Sequence, residues 1–471
     1  MSKNTSGSLS HEDEQRITRI LADVEARLRK SFAEPDGTLH KIETDVTEIG
    51  KAITERITKE KIDKISSAPY ESRCLCRCNE AGFSSLEPCH RMAKLSGRPQ
   101  SRNVITLHGR ITFERPYFYC AKCKHGFCPA DIALDIAKRD TSRAVQAYSC
   151  RMSCYLSTAK VKKELFELTG IHLSASSIDR FARSAGKLIA EECNAIRKEL
   201  LPSDVAREQL VKRRYYVSMD AFKAHVGGVW RDAKLGVIYN RAVEPKDAKR
   251  RGNTRLASQA PSGGACNSQG HVNERSYYAS FECSADFGPM ILALARRFGV
   301  TEHDILEALG DGAEWIWIEF AKAFPRAVQV LDYYHLLENL GTFAKARYCG
   351  NEIQVKKWLG LQHENLLVHG DVMRVVKDMN TWQPTSKSDQ EMKRIKINYV
   401  VTNASRANYK ELREFGFDIG SGIMESGCKT MKARLGGPGM RWEEPGAAAI
   451  LHLTSLYHAS AEPDFLNYTH N

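Results

Sequence analysis

"FDIGSGIMESGCKTMKARL", Phe417–Leu435, sets a single acid, Glu425, between a glycine-rich turn and the bases Lys429, Lys432 and Arg434. No second carboxylate lies within a helical turn of Glu425, and an acid that faces a polyanion needs a cation between the two. Its partners must therefore come from distant sequence. Upstream, "RRYYVSMDAFKAHV", "AKLGVIYNRAV" and "SYYASFEC" predict three strands, and "ADFGPMILALARRFGV" predicts a helix. "DILEALGDGAEWIW" and "AVQVLDYYHLLENL" each read as a strand running into a helix. Three strands followed by strand–helix alternation predict an α/β core, a mixed sheet with flanking helices. Asp220 ends the apolar run "YYVSMD", and Asp311 follows "ILEALG" between two glycines, so both acids are expected at strand ends on the sheet edge. The separations are 311 − 220 = 91 and 425 − 311 = 114 residues, and only folding can unite the three.

This core is expected over 206–340 and 416–471, split by an all-helical insertion at 341–415, where β character is scarce. "RGNTRLASQAPSGGACNSQG" reads as a polar, Gly- and Ser-rich connection inside the first part. Trp315 and Trp317 are expected as core anchors.

Thiols cluster at 71–135, in "CLCRC", "EPCH" and "CAKCKHGFC", around the alternating stretch "VITLHGRITFERPYFYC". Two knuckles joined by a hairpin predict a zinc ribbon. Cys76, Cys78, Cys120 and Cys123 are the expected ligands, since four thiolates complete a tetrahedral Zn²⁺ shell. Cys74 is the alternative to Cys76, and Cys89, His90, His125 and Cys128 are further candidates. In the 136–205 segment, "STAKVKKELFELTGIHLSASSIDRFARSAGKLIAEEC" places Val161, Leu165 and Leu168 on one helix face, ends that helix at Gly170 and caps a second with Ser174. That pattern predicts a helix-turn-helix module with Ser176, Ser177, Arg180 and Arg183 towards DNA. Residues 1–70 predict a helical arm: "ITRILADVEARL" spaces Ile17, Ile20, Leu21, Val24 and Leu28 as a helix does, as a surface hairpin or a dimer contact.

Composition sets the outer limits. A chain of 471 residues exceeds the roughly 100–200 of one domain. Its 42% apolar and 27% charged residues are those of a globular protein. A net charge of +12 points to an anionic partner such as nucleic acid. The longest apolar run, "FGPMILALA", falls short of the roughly 20 residues of a membrane span, so no membrane association is expected. The start "MSKNTSGSLSHEDEQRITRIL" lacks the pattern of a secretory signal, which predicts a cytoplasmic protein whose 14 cysteines are reduced or metal-bound.

"GDGAEWIWIEFAKAFPRAVQVLDYYHLLENL", "GSGIMESGCKTMKARLGGPGMRWEEPGAAAILHL" and the thiol knuckles together resemble the ISKra-type family of bacterial insertion-sequence transposases, over about Cys74 to Leu453. The resemblance implies an RNase H-like fold with an Asp-Asp-Glu triad, matched here by Asp220, Asp311 and Glu425. "DYYH", Asp332 to His335, is similar to the D-x-x-H element shared with Mutator-like transposases, and His335 is expected to orient the scissile phosphate. Where the family shows a glycine or polar turn after its first acid, this chain has "DAFKAHV", which leaves Asp232 in "WRDAK" as the alternative. The triad implies two Mg²⁺ or Mn²⁺ ions per site, since these hard ions take carboxylate oxygens. Lys429, Lys432, Arg434, Arg441 and Trp442 are then the expected DNA contacts beside it, with Zn²⁺ structural in the ribbon. Double-stranded DNA, as transposon end and target, is the implied partner. A homodimer or higher oligomer in a synaptic complex and a place at the bacterial nucleoid follow from the same resemblance.

Overall fold

A computed structural model describes residues 9–33, 37–67, 70–82, 88–198, 214–241, 272–460 and 463–469. The polar connection at 251–270 lies outside the described residues. The chain divides into two compact units, Met1–Met152 with Ser157–Phe181 and Phe465–Asn471, and Ser153–Leu156 with Ala182–Asp464.

The first unit opens with a pair of helices, α1 (His11–Ala33) and α2 (Leu39–Ser66). Thr38 caps α2 by accepting from the Lys41 N–H. Six strands follow: β1 (Arg73–Leu75), β2 (Met92–Leu95), β3 (Gln100–Thr106), β4 (Gly109–Arg115), β5 (Phe118–Cys120) and β6 (His125–Phe127). β1, β2, β5 and β6 form one antiparallel sheet in that order, while β3 and β4 pair separately as the hairpin between its halves. Asp131 in α3 (Pro129–Ala133) anchors the hairpin, accepting from Arg102 and Arg115 at 2.7 Å each. The helices α4 (Arg143–Ser153), α5 (Thr158–Thr169) and α6 (Ala175–Lys198) come next, and the boundary between the units falls within α6. Gly170 ends α5 at φ 75°, and the Ser174 hydroxyl accepts from the Ser177 N–H at 3.0 Å to cap α6. Val161 and Leu165 are buried as expected, but Leu168, in the last turn of α5, is 72% exposed.

The second unit is built on β7 (Arg214–Val226), β8 (Val229–Arg241), β9 (Val272–Ser280), β10 (Ile305–Gly310) and β11 (Val328–Leu331), with α7 (Ser284–Arg297) before β10 and α8 (Glu314–Ala323) before β11. The strand order is β11-β10-β7-β8-β9; β7, β8 and β9 run antiparallel in sequence, and β10 and β11 run parallel to β7. Gly227 and Gly228, both at positive φ, close the β7–β8 hairpin in the two-residue turn that suits twisted strands. Helices α9 (Tyr333–Arg347), α10 (Glu352–Leu367), α11 (Val372–Thr381), α12 (Lys387–Thr402) and α13 (Tyr409–Glu414) lie between β11 and α14, the first of them beginning within the stretch expected as core, and α14 (Gly422–Leu435) and α15 (Glu444–His458) return to the sheet.

The core lies on the sheet faces. Tyr215 to Met219 of β7 are buried without a break, as a central strand requires. Trp317 is buried with Arg406 stacked over it, and Trp315 sits edge-on to Phe287. At Gly427 α14 crosses the sheet closely, for a Cβ there would come within 2.9 Å of the Tyr277 ring.

Candidate active site and thiol centre

Cys76, Cys89, Cys120 and Cys123 bring their sulfurs within 4.8 Å of one another, among the described residues the one set of three or more metal-ligating side chains that does so. Cys76 and Cys123 are 3.8 Å apart, and Cys89 and Cys120 are 3.7 Å apart. A tetrahedron of Zn–S bonds about 2.3 Å long spaces its sulfurs by about 3.8 Å, so the donor set fits Zn²⁺. Apolar Phe118, Phe127, Ala81 and Ala93 pack beneath it.

Cys89 replaces Cys78 in the expected set. The chain turns after β1, the Cys78 N–H points at the Cys76 sulfur at 3.5 Å, and the Cys78 thiol goes instead to the His125 carbonyl, also 3.5 Å. Cys74, on β1 opposite Ala93, is likewise outside the four, as are His90, His125 and Cys128. The fourth thiol comes from the loop before β2, where "EPCH" is the only signal for it.

The acids gather in the second unit. Leu309 of β10 lies beside Ser218 of β7; β10 stops at Gly310, and Asp311 follows in the loop, near enough to Asp220 for the two charges to interact. Asp220 is not at a strand end: β7 continues to Val226 because it keeps its pairing with β8 after β10 has stopped. Its Oδ1 accepts from the Ala221 N–H at 2.6 Å and its Oδ2 from the Cys428 thiol at 3.3 Å. Burial pushes the Asp220 carboxyl above the usual range, and the negative charge of Asp311 pushes it further, while His335 acts in the other direction. Burial and both aspartates raise the Cys428 thiol as well. Asp311 holds the start of α8 through the Ala313 N–H, 2.9 Å, and its carbonyl accepts from the Tyr399 hydroxyl of α12, 2.7 Å. Gly312, at φ 97°, leaves room for that ring, which a Cβ would approach to 2.6 Å.

Asp332 fixes the helix starts around these acids. Its Oδ1 caps α9, accepting from Tyr334 N at 2.8 Å and His335 N at 3.3 Å. Its Oδ2 accepts from Ser421 N at 2.7 Å and from the Ser421 hydroxyl at the start of α14. His335 is thereby presented from the first turn of α9, with Glu338 at 3.6 Å.

Glu425 stands one turn before Cys428 on α14, about 4.5 Å along the axis, and faces solvent with Lys429 at 2.7 Å. It does not close on the aspartates to the spacing seen among the thiols. Asp232 belongs to an exposed pair with Lys223, 2.8 Å across the hairpin, away from the other acids in register.

Of the expected DNA contacts, Lys429, Lys432 and Arg441 are exposed, as are Ser176 and Arg180, whereas Ser177 is half-buried in the α6 cap. Arg183 pairs with Glu443 at 3.2 Å. Arg434 does not face a phosphate. It is buried, donates to the Ser153 carbonyl at 2.7 Å and stacks on Trp442, and desolvation lowers its pKa to about 10. Trp442 is held in place too: its backbone bridges His225 and Gly227 at the hairpin tip, and its indole N–H donates to Leu435 O at 3.0 Å.

Cys428, Tyr399 and Ser421 were not singled out by sequence reasoning. Cys428 had a signal, three residues after Glu425 on the same face; Tyr399, inside the helical insertion, had none. No helix among the described residues is long and apolar enough to cross a membrane. No protein-family model matches the sequence, and no curated protein matches it.

Proposed function

We infer that the protein is a DDE-type DNA transposase, cutting the ends of an insertion sequence and joining them to target DNA. One observation carries this reading: Asp220 on β7 and Asp311, in the loop directly after the adjoining strand β10, are close enough for the charge of Asp311 to act on Asp220, beside the helix that carries Glu425. The sheet supports it, since three antiparallel strands joined through the first to two parallel ones is the arrangement expected of an RNase H-like core. The Cys₄ group beside a separate hairpin supports a zinc ribbon in the first unit.

The donor set suits hard divalent cations, because two neighbouring carboxylates, one driven up by burial and by the other's charge, lose that repulsion when a cation joins them. Asp220, Asp311 and Glu425 would hold Mg²⁺ or Mn²⁺, which supplies charge stabilisation to the entering and leaving oxygens of a phosphodiester. The remaining work falls to the chain. Asp332 holds α9 and α14 in register, His335 orients the phosphate, and Lys429 exchanges Glu425 for a DNA phosphate, freeing that carboxylate to turn towards the aspartates.

The test is divalent-metal-dependent nicking of duplex DNA that carries the element's ends. Asp220→Asn, Asp311→Asn and Glu425→Gln should each abolish nicking and retain salt-dependent DNA binding. Equal activity in wild type and Glu425→Gln overturns the reading. A second reading, a DNA-binding protein derived from such an enzyme and without catalysis, is favoured by the Glu425–Lys429 pair, and binding without nicking in wild type would select it.

A further inference from the structure

The helix α1 runs for 23 residues and buries none of them. Its apolar side chains are nevertheless ordered: Ile17, Leu21, Val24 and Leu28 recur at intervals of four, three and four, the spacing of a seam between two paired helices. Ile17, Leu21 and Leu28 are 41, 60 and 41% exposed. Val24 is half-buried, and the other three stay exposed although α2 is tied to α1 by Arg16–Glu60 at 3.2 Å and Lys64–Asp13 at 2.7 Å. An apolar stripe of this length on a helix is ordinarily buried.

We propose that α1 pairs antiparallel with α1 of a second copy of this chain, about a two-fold axis between Ala22 and Asp23. The spacing selects that occupant. Placing the axis there sets Ile17 opposite the partner copy's residue 28 and Leu21 opposite its residue 24, so all four seam positions meet apolar partners, as a self-complementary contact requires. The charges agree. Glu12, Asp13 and Glu14 fill the first turn of α1, and Arg27, Arg29 and Lys30 lie towards its other end. Antiparallel pairing about this axis sets the acidic first turn against residues 31–33 of the other copy, next to its Lys30, and opposes the two helix dipoles. Arg27 and Arg29 now hold Asp23 and Glu25 within their own helix, at 3.1 and 2.6 Å, exposed pairs that exchange at little cost. A nucleic acid would meet the acidic first turn, and a membrane would meet charged flanks of both signs.

Light scattering on the zinc-loaded full chain should give the mass of a dimer. Leu21→Glu with Leu28→Glu should halve that mass while helicity and zinc content stay unchanged, because neither side chain belongs to the core. Ile17→Cys with Leu28→Cys should form a reducible covalent dimer on mild oxidation. The two positions are 11 residues, about 16 Å, apart along one helix and cannot join within a copy. A monomeric wild type, a double glutamate variant that stays dimeric, or a cysteine pair that cross-links no more than its single variants overturns the proposal. So does a glutamate variant that loses DNA affinity at unchanged mass. None of these readouts depends on nicking, so they stand apart from the transposase reading.

Discussion

The Cys428 thiol donates to Asp220 Oδ2 at 3.3 Å, so α14 holds the central acid of the sheet one turn away from Glu425. Removing that donor should misplace Asp220. Cys428→Ala is expected to lower nicking by roughly fivefold, the worth of about 1 kcal/mol for one hydrogen bond. Cys428→Ser, which keeps a donor, should lose less. Equal rates for alanine and wild type in single-turnover nicking would show that the contact positions nothing.

Asp332 accepts from both N-termini that frame the site. Asp332→Ala leaves the Ser421 hydroxyl and several N–H groups without an acceptor in a buried position, which should cost about 3 kcal/mol or more. Urea unfolding measures the loss. Ser421→Ala, which removes only one donor, should cost about 1 kcal/mol.

Zinc content discriminates among the thiols. Cys89→Ser and Cys120→Ser should each release the metal, whereas Cys78→Ser should retain about one zinc per chain. Metal analysis of the purified variants reads the result directly. Retention of zinc by Cys89→Ser would return the fourth ligand to another residue.

A pH prediction follows from Glu307, a fully buried acid on β10 whose Oε2 accepts from the Asp418 N–H at 3.0 Å and whose Oε1 has no partner. Burial and the nearby Asp418 charge raise its carboxyl well above the ordinary value of 4.5. The folded state therefore holds a proton that the unfolded chain releases, and the associated stability is full below about pH 4.5 and declines as pH rises towards the folded value. Glu307→Gln should flatten this decline. Urea midpoints at pH 5 and pH 8 should differ less in the variant than in wild type, and an unchanged difference would reject the assignment.

Much of this architecture was legible because the relevant signals are local. The apolar runs in "RYYVSMD" and "KLGVIYN" mark strands, Gly170 directly after Thr169 marks a helix end, and Ser174 marks a cap, each without help from distant sequence. Three acids could be chosen as well, since two stand next to apolar strands and the third opens a helix. What local pattern does not carry is which side chains meet across the fold. The choice between Cys78 and Cys89 depends on how the chain turns after Cys76, and no spacing rule encodes that turn. Arg434 reads as one more base in a basic run, yet it lies on the buried side of α14 against Ser153 and Trp442. Tyr399 sits in a helix whose sequence gives no hint of the loop it reaches.

That reach gives the helical insertion a different standing from an appendage. Because the Tyr399 hydroxyl buttresses the peptide of Asp311 and its ring fills the space over Gly312, α12 forms one wall around the second acid. A minimal fragment trimmed of residues 341–415 would keep all five strands of the larger sheet and lose the prop behind that loop. Engineering that shortens this protein has to spare α12, or supply another phenol in its place.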